Sequence, residues 1–195
     1  IFVLFAVIFL WSALVYLGVV PLKTTAPSYL PADLWVRLFI PILSLLPFLG
    51  ALYIRRQPLL SVGWAKSLLV PALQMGLALA FITFFLRNKI YSVINGVSAF
   101  ELNALLLCAG LSLAEESIFR GYIQTRLVSI WGKVPGWLAA SGLYLLFQLP
   151  RFWADPASVP FNILLIALEG LLLGWVANKG GHVLVPALYR LISEW

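Results

Sequence analysis

From Ile1 to Val20 the chain carries no charged side chain, and apolar runs of similar character recur to its C-terminus. A helix needs about 20 mostly apolar residues to cross the hydrocarbon layer of a bilayer. Read this way, the spans are Ile1–Val20, Leu34–Ile54, Lys66–Leu86, Glu101–Trp131, Pro135–Leu149, Phe161–Val176 and a short His182–Ile192. The weaker stretch Ile90–Phe100 reads as a connection or a surface helix. The predicted fold is an all-α, polytopic transmembrane bundle of about seven spans, forming one membrane-embedded domain over 1–195. No internal repeat, low-complexity tract or second domain interrupts it.

Composition leads to the same class. Of 195 residues, 63% are hydrophobic and 10% charged, with a mean hydropathy of +1.01. Soluble domains run near ~45–50% apolar and ~25% charged. A core of this size cannot hide that surplus, so lipid is the expected partner. The formal charge is +6, but the basic residues are scattered singly, unlike a nucleic-acid-binding stripe. A nucleic-acid partner is therefore not expected. Cys108 is the only cysteine and His182 the only histidine, which excludes an intramolecular disulfide and argues against a zinc or multi-histidine haem site. No metal or cofactor is expected. The start at Ile1, inside an apolar run and without Met, reads as missing N-terminal sequence. A signal peptide is the competing reading, against which stands the lack of a basic n-region.

Loop charges give an orientation. Arg55, Arg56, Lys66, Arg126, Lys133 and Lys179 fall on one side of the bundle. Lys23, Arg87, Lys89 and Arg151 fall on the other, partly offset by Asp33, Glu101 and Asp155. The positive-inside bias places the first group, and the charged end of the fourth helix, in the cytoplasm. The plasma membrane is the expected location.

The chemistry concentrates in Leu111–Arg126, LSLAEESIFRGYIQTR, where Glu115, Glu116 and Arg120 follow turns that are apolar apart from Ser112. Ionisable groups inside a membrane cost several kcal/mol each and persist where they pair or act. Glu116 and Arg120 stand four apart in the favourable order for an ion pair. Glu115 is rotated about 100° from Glu116 and has no local cation. A carboxylate held dry beside a second acid is a candidate general base. Equally, the three charges can simply staple helices together.

EESIFRG at the end of a transmembrane helix resembles the EExxxR signature of the CPBP family, which comprises the CAAX prenyl endopeptidases, the bacteriocin-processing and immunity (Abi) proteins and their relatives. The likeness covers about 103–195. It takes in Tyr122 and Arg126, the following helix with its aromatic near the end, and the GxxxG-like Gly170–Gly174 helix. The resemblance implies a helical bundle with its site open to the cytoplasm. It also implies a glutamate-activated water that attacks a peptide bond of a membrane-borne protein or peptide substrate, with two histidines orienting the water and stabilising the oxyanion. On this sequence the implied catalytic set is Glu115 as base, Glu116 and Arg120 as its supporting pair, Tyr144 and Gln148 in place of FxxxH, and Arg190 in place of the later histidine. Glu194 falls where that last motif has Asn or Asp.

Both motif histidines are thus replaced. Gln148 can hydrogen-bond a water but cannot accept a proton as imidazole does. Arg190 stays protonated and can serve only as an electrostatic stabiliser. His182, eight residues before Arg190, reads as an interfacial loop or N-terminal helix residue. If Arg190 approaches Glu115, then Glu115, Glu116, Arg120 and Arg190 form a neutral quartet that suits a structural lock better than a base. The expected function is therefore intramembrane endopeptidase chemistry through Glu115, or a catalytically inactive relative serving as a binding or assembly subunit of a membrane complex. A transporter using Glu115 and Glu169 would call for repeats and broken helices, which the sequence lacks.

Other features have plainer expectations. Trp35, Trp64, Trp131, Trp137, Trp153 and Trp195 lie near span ends, where indoles prefer the headgroup level. Gly170 and Gly174, with Ala167, let another helix approach closely. Glu169 reads as a partner for Arg37 or Arg151, or as a cavity lining, and Gln74 as an interhelical hydrogen-bond donor.

Overall fold

The computed structural model describes residues 1–22, 28, 31–152 and 159–195, apart from the side chains of Asp33 and Val159. Lys23, Trp153 and Asp155, and the Asp33 side chain, lie outside the described residues. Nine α-helices are found among those described: α1 Phe2–Tyr16, α2 Ala32–Ile54, α3 Leu69–Leu86, α4 Lys89–Ile94, α5 Ala99–Glu116, α6 Thr125–Trp131, α7 Lys133–Gln148, α8 Val159–Gly180 and α9 Leu184–Glu194. A π-helical segment, Ser117–Gln124, joins α5 to α6 into one continuous rod. No strand occurs among the described residues.

Each of the seven sequence segments contains a helix, and α4 accounts for the weaker stretch. Four helices have the length and apolarity to cross a bilayer: Leu34–Ile54, Lys66–Leu86, Ala99–Trp131 and Pro160–Gly180. The other three are shorter. At 1.5 Å per residue, the 11-residue α9 reaches only about 16 Å. Exposed apolar side chains such as Leu106, Phe81 and Phe161 cover the outside, as lipid contact requires. The chain is an integral membrane protein.

Local chemistry fixes the elements around the site. Ser98 and Glu101 form a capping box at the start of α5, Ser98 Oγ accepting from the Glu101 N–H and Glu101 Oε2 from the Ser98 N–H. Eighteen residues later α5 widens into the π-helical segment, all eight residues of which are buried. Single-turn π-bulges are common at functional sites, and this one carries Arg120. Gly121 lets the turn Leu59–Val62 close on it: a Cβ there would stand 2.5 Å from the Val62 carbonyl oxygen.

The bundle has two identifiable ends. At one, the Val183 N–H donates to the Gly63 carbonyl, and Arg126 Nη2 reaches Gln57 Oε1 at 2.7 Å and Ser61 Oγ at 3.0 Å. At the other, Arg87 donates to Ser193 Oγ and the Trp195 indole to the Glu101 carbonyl. α9 packs between α3, α5 and α8, with Gly76 of α3 admitting Leu188. In the same way, Gly174 of α8 admits the Trp137 ring, and the Ser141 hydroxyl donates to the Gly170 carbonyl. The small-residue stripe thus packs against α7.

Three of the span-end tryptophans also bond across the bundle. The indoles of Trp64, Trp137 and Trp195 donate to Ser117 Oγ, the Leu171 carbonyl and the Glu101 carbonyl. These span-end rings stitch helices together, whereas Trp131 is exposed.

Candidate functional site

Four elements bring six charged side chains into the protein interior. Glu115 and Glu116 end α5, Arg120 lies one turn on, Arg190 and Glu194 come from α9, and Arg37 from α2. Glu115, Glu116, Arg120 and Arg190 are each at most 4% exposed. Desolvating such ions costs several kcal/mol apiece and is offset only by close pairing.

Arg190 supplies much of that pairing. Its Nη1 lies 2.5 Å from Glu115 Oε2 and 3.3 Å from Glu116 Oε1, and its Nη2 lies 3.7 Å from Glu194 Oε1. Arg120 Nε stands 3.4 Å from Glu116 Oε2, the i,i+4 pair expected from spacing. Arg37 closes the chain on Glu194. Three carboxylates face three guanidinium groups, so the cluster is formally neutral.

α7 provides the neutral members. Gln148 Nε2 donates to Tyr144 Oη at 3.1 Å and approaches Glu115 Oε2 at 3.3 Å. The Tyr144 ring lies 4.9 Å from the Arg120 guanidinium carbon and 5.2 Å from that of Arg190. Such cation–π contacts stabilise desolvated cations. Phe119 meets Tyr144 edge-on at 5.3 Å, completing an aromatic wall. The structure therefore brings together Glu115, Glu116, Arg120, Tyr144, Gln148 and Arg190.

Two members were not foreseen as part of this cluster. Arg37 pairs with Glu194, which corrects the pairing of Arg37 with Glu169; Glu169 remains partly exposed on α8. Spacing could not have found a contact between residues so far apart in sequence. Glu194 had a signal of its own, because it follows Arg190 by four residues.

His182 lies elsewhere. It is buried in the connection before α9, where Nδ1 accepts the Leu184 N–H at 3.0 Å and the ring meets Trp64 edge-on at 5.5 Å. Burial holds the imidazole below its ordinary pKa of 6.5. Eight residues of helix would separate it from Arg190 by about 12 Å. It shares a small cavity with Arg120, Gln124, Thr125 and Asn178.

This arrangement can orient and hold charge. Glu115 Oε2 already accepts from a guanidinium and faces an amide, and neither neighbour can take up a proton as an imidazole would.

A comparison with protein families matches residues 97–195 to the family described as type II CAAX prenyl endopeptidase Rce1-like. No curated protein and no solved structure matches the chain.

Proposed function

The chain belongs to the Rce1-like family of type II CAAX prenyl endopeptidases, and from that premise we propose that it is a non-proteolytic member, in which the glutamate site has become an ionic lock. Its role is then to bind or assemble with other proteins in the membrane. The observation that carries this reading is the 2.5 Å contact between Arg190 Nη1 and Glu115 Oε2. A general base needs an accessible lone pair and a water within hydrogen-bond reach. Here donors occupy that oxygen, and the neighbours are a permanent cation and an amide.

The second reading, hydrolysis through Glu115, keeps one specific support: the Glu115–Glu116–Arg120 unit is intact and buried beside Tyr144 and Gln148. In either case the bundle is read as seven crossings, with α1, α7 and α9 as short or tilted spans. The end carrying Arg55, Arg56, Lys66, Lys133 and Lys179 then faces the cytoplasm of the plasma membrane.

The test is turnover of a prenylated CAAX peptide by the chain reconstituted in vesicles. The lock predicts no cleavage by the wild-type protein, with any gain confined to variants that restore imidazoles, such as Gln148→His with Arg190→His. Cleavage by the wild-type chain that disappears in Glu115→Gln would establish the second reading instead.

A further inference from the structure

Away from the charge cluster, the seam between α1 and α2 holds two open cavities. One, of about 420 Å³, is lined by Val7, Trp11 and Leu14 of α1 and by Leu43, Ser44 and Pro47 of α2, among others. The second, of about 290 Å³, continues toward the α2–α3 connection, with Val3 and Leu4 on one wall and Ala51, Ile54 and Arg55 on the other. Val7 and Pro47 line both, so the two join into one groove.

The groove has a definite length and depth. At 1.5 Å per residue, Val3 to Leu14 on α1 and Leu43 to Arg55 on α2 each measure about 17–18 Å. The hydrocarbon layer is about 30 Å thick, so one leaflet supplies about 15 Å of it. Leu34–Ile54 is a membrane span. Arg55 therefore stands at the headgroup level, and the Leu14–Leu43 end lies near the middle of the membrane. The groove is as long as one acyl chain of one leaflet is deep.

Its chemistry divides in the same way. The body is walled by carbon, and the Ser44 hydroxyl is already spent on the Ile40 carbonyl at 2.8 Å. Such a surface asks for hydrocarbon rather than for a polar ligand. The rim is built of branched aliphatic residues, Val3, Val7 and Leu10, each at least half exposed. Close approach of a partner helix would call for small residues there instead. At the headgroup end, Arg55 is exposed and makes no ion pair among the described residues. The connection that it opens carries Arg55, Arg56 and Lys66 and no acidic residue up to α3. A guanidinium fork matches the oxygens of a phosphate.

We propose that this groove binds one anionic phospholipid, with an acyl chain laid between α1 and α2 and the headgroup phosphate on Arg55. Trp11 lines the deep end and meets the distal half of that chain. The groove lies outside the Glu115–Arg190 cluster, so the site goes beyond the ionic-lock reading and does not depend on it.

Fluorescence of the full chain in vesicles tests this, with lipids brominated in the distal half of their chains as contact quenchers. The probes are phosphatidylglycerol and phosphatidylcholine with identical chains. The protein has eight tryptophans, and subtracting the signal of Trp11→Phe isolates Trp11. Phosphatidylglycerol is expected to half-quench Trp11 at about fivefold lower mole fraction than phosphatidylcholine, the weight of one arginine against an anionic lipid. Arg55→Gln, at an exposed position, should abolish that preference. Lys66→Gln removes a charge from the same connection but not from the groove, and should keep it. Val7→Phe adds bulk at the half-exposed point where the two cavities join, and should weaken quenching of Trp11 by both lipids. Equal quenching by the two lipids, or quenching unchanged in Val7→Phe, would overturn the proposal. So would a preference lost equally in Lys66→Gln, which would mark diffuse attraction to a basic surface. None of these outcomes bears on peptide cleavage, so the two readings fail separately.

Discussion

Arg190 touches more of the buried cluster than any of the other five charged residues described in it. Nη1 meets both Glu115 and Glu116, and Nη2 faces Glu194. Removing one partner of a buried ion pair leaves the other charged and dry, at a cost of about 3–5 kcal/mol. Arg190→Met should therefore destabilise the protein by about that amount, read as a lowered unfolding temperature in detergent. Arg37→Met should cost less, because Glu194 keeps Arg190 as a neighbour. His182 gives a pH-dependent counterpart. Its folded-state pKa is below the ordinary 6.5 because of burial, so protonation favours the unfolded chain. The neutral ring's contribution is complete above pH 6.5 and is lost as pH falls toward the folded value. Unfolding temperatures of the wild-type chain should drop more over that acid range than those of His182→Gln. At this scale the sequence exposed Glu115, Glu116, Arg120 and Arg190, because ionisable residues stand out in apolar helices. It hid the Arg37–Glu194 pair, which joins α2 to the last turn of the chain. It also hid the tautomer of His182, fixed by a backbone N–H two residues away.

The helices owe their relative placement to a few close approaches. At Gly121 a methyl group would meet backbone, the Val62 carbonyl oxygen at 2.5 Å, and backbone cannot swing aside as a side chain can. Gly121→Ala should cost about 1–3 kcal/mol as an overpacking change. Gly142 on α7 is the control, since nothing lies within 4 Å of its Cβ position. There the gain in helix propensity predicts stabilisation by about 0.5–1 kcal/mol. Thermal unfolding of the two alanine variants should move in opposite directions. Helix positions were readable from the apolar runs, whereas the capping box of Ser98 and Glu101 comes from the structure. The π-helical segment was not readable, because the residues from Ser117 to Gln124 carry no local signal for an i,i+5 hydrogen bond. Its role in placing Arg120 emerges only once α7 and α9 are packed around it.

For the molecule as a whole, the described loop charges sort by end. Arg126 binds the α2–α3 connection, which in turn bonds the α8–α9 connection through Gly63 and Val183. Arg87 and Lys89 sit instead with Ser193 and Trp195. Cysteines introduced at Lys66 and Lys179 should therefore label from the same side of sealed vesicles, and one at Arg87 from the opposite side. Native Cys108 is buried and should stay silent. Labelling of Lys66 and Lys179 positions from opposite sides would break the proposed topology. The family was legible from half of the chain, Glu115 to Arg190 in particular, while the function turns on whether Arg190 occupies the glutamate or leaves it free. A double-mutant cycle on Glu115 and Arg190, Glu115→Gln against Arg190→Gln, measures that directly through unfolding free energy. The ionic lock predicts a coupling of about 1–3 kcal/mol. A coupling near zero, with Glu115→Gln as stable as the wild-type chain but unable to cleave a peptide the wild type cleaves, would contradict it.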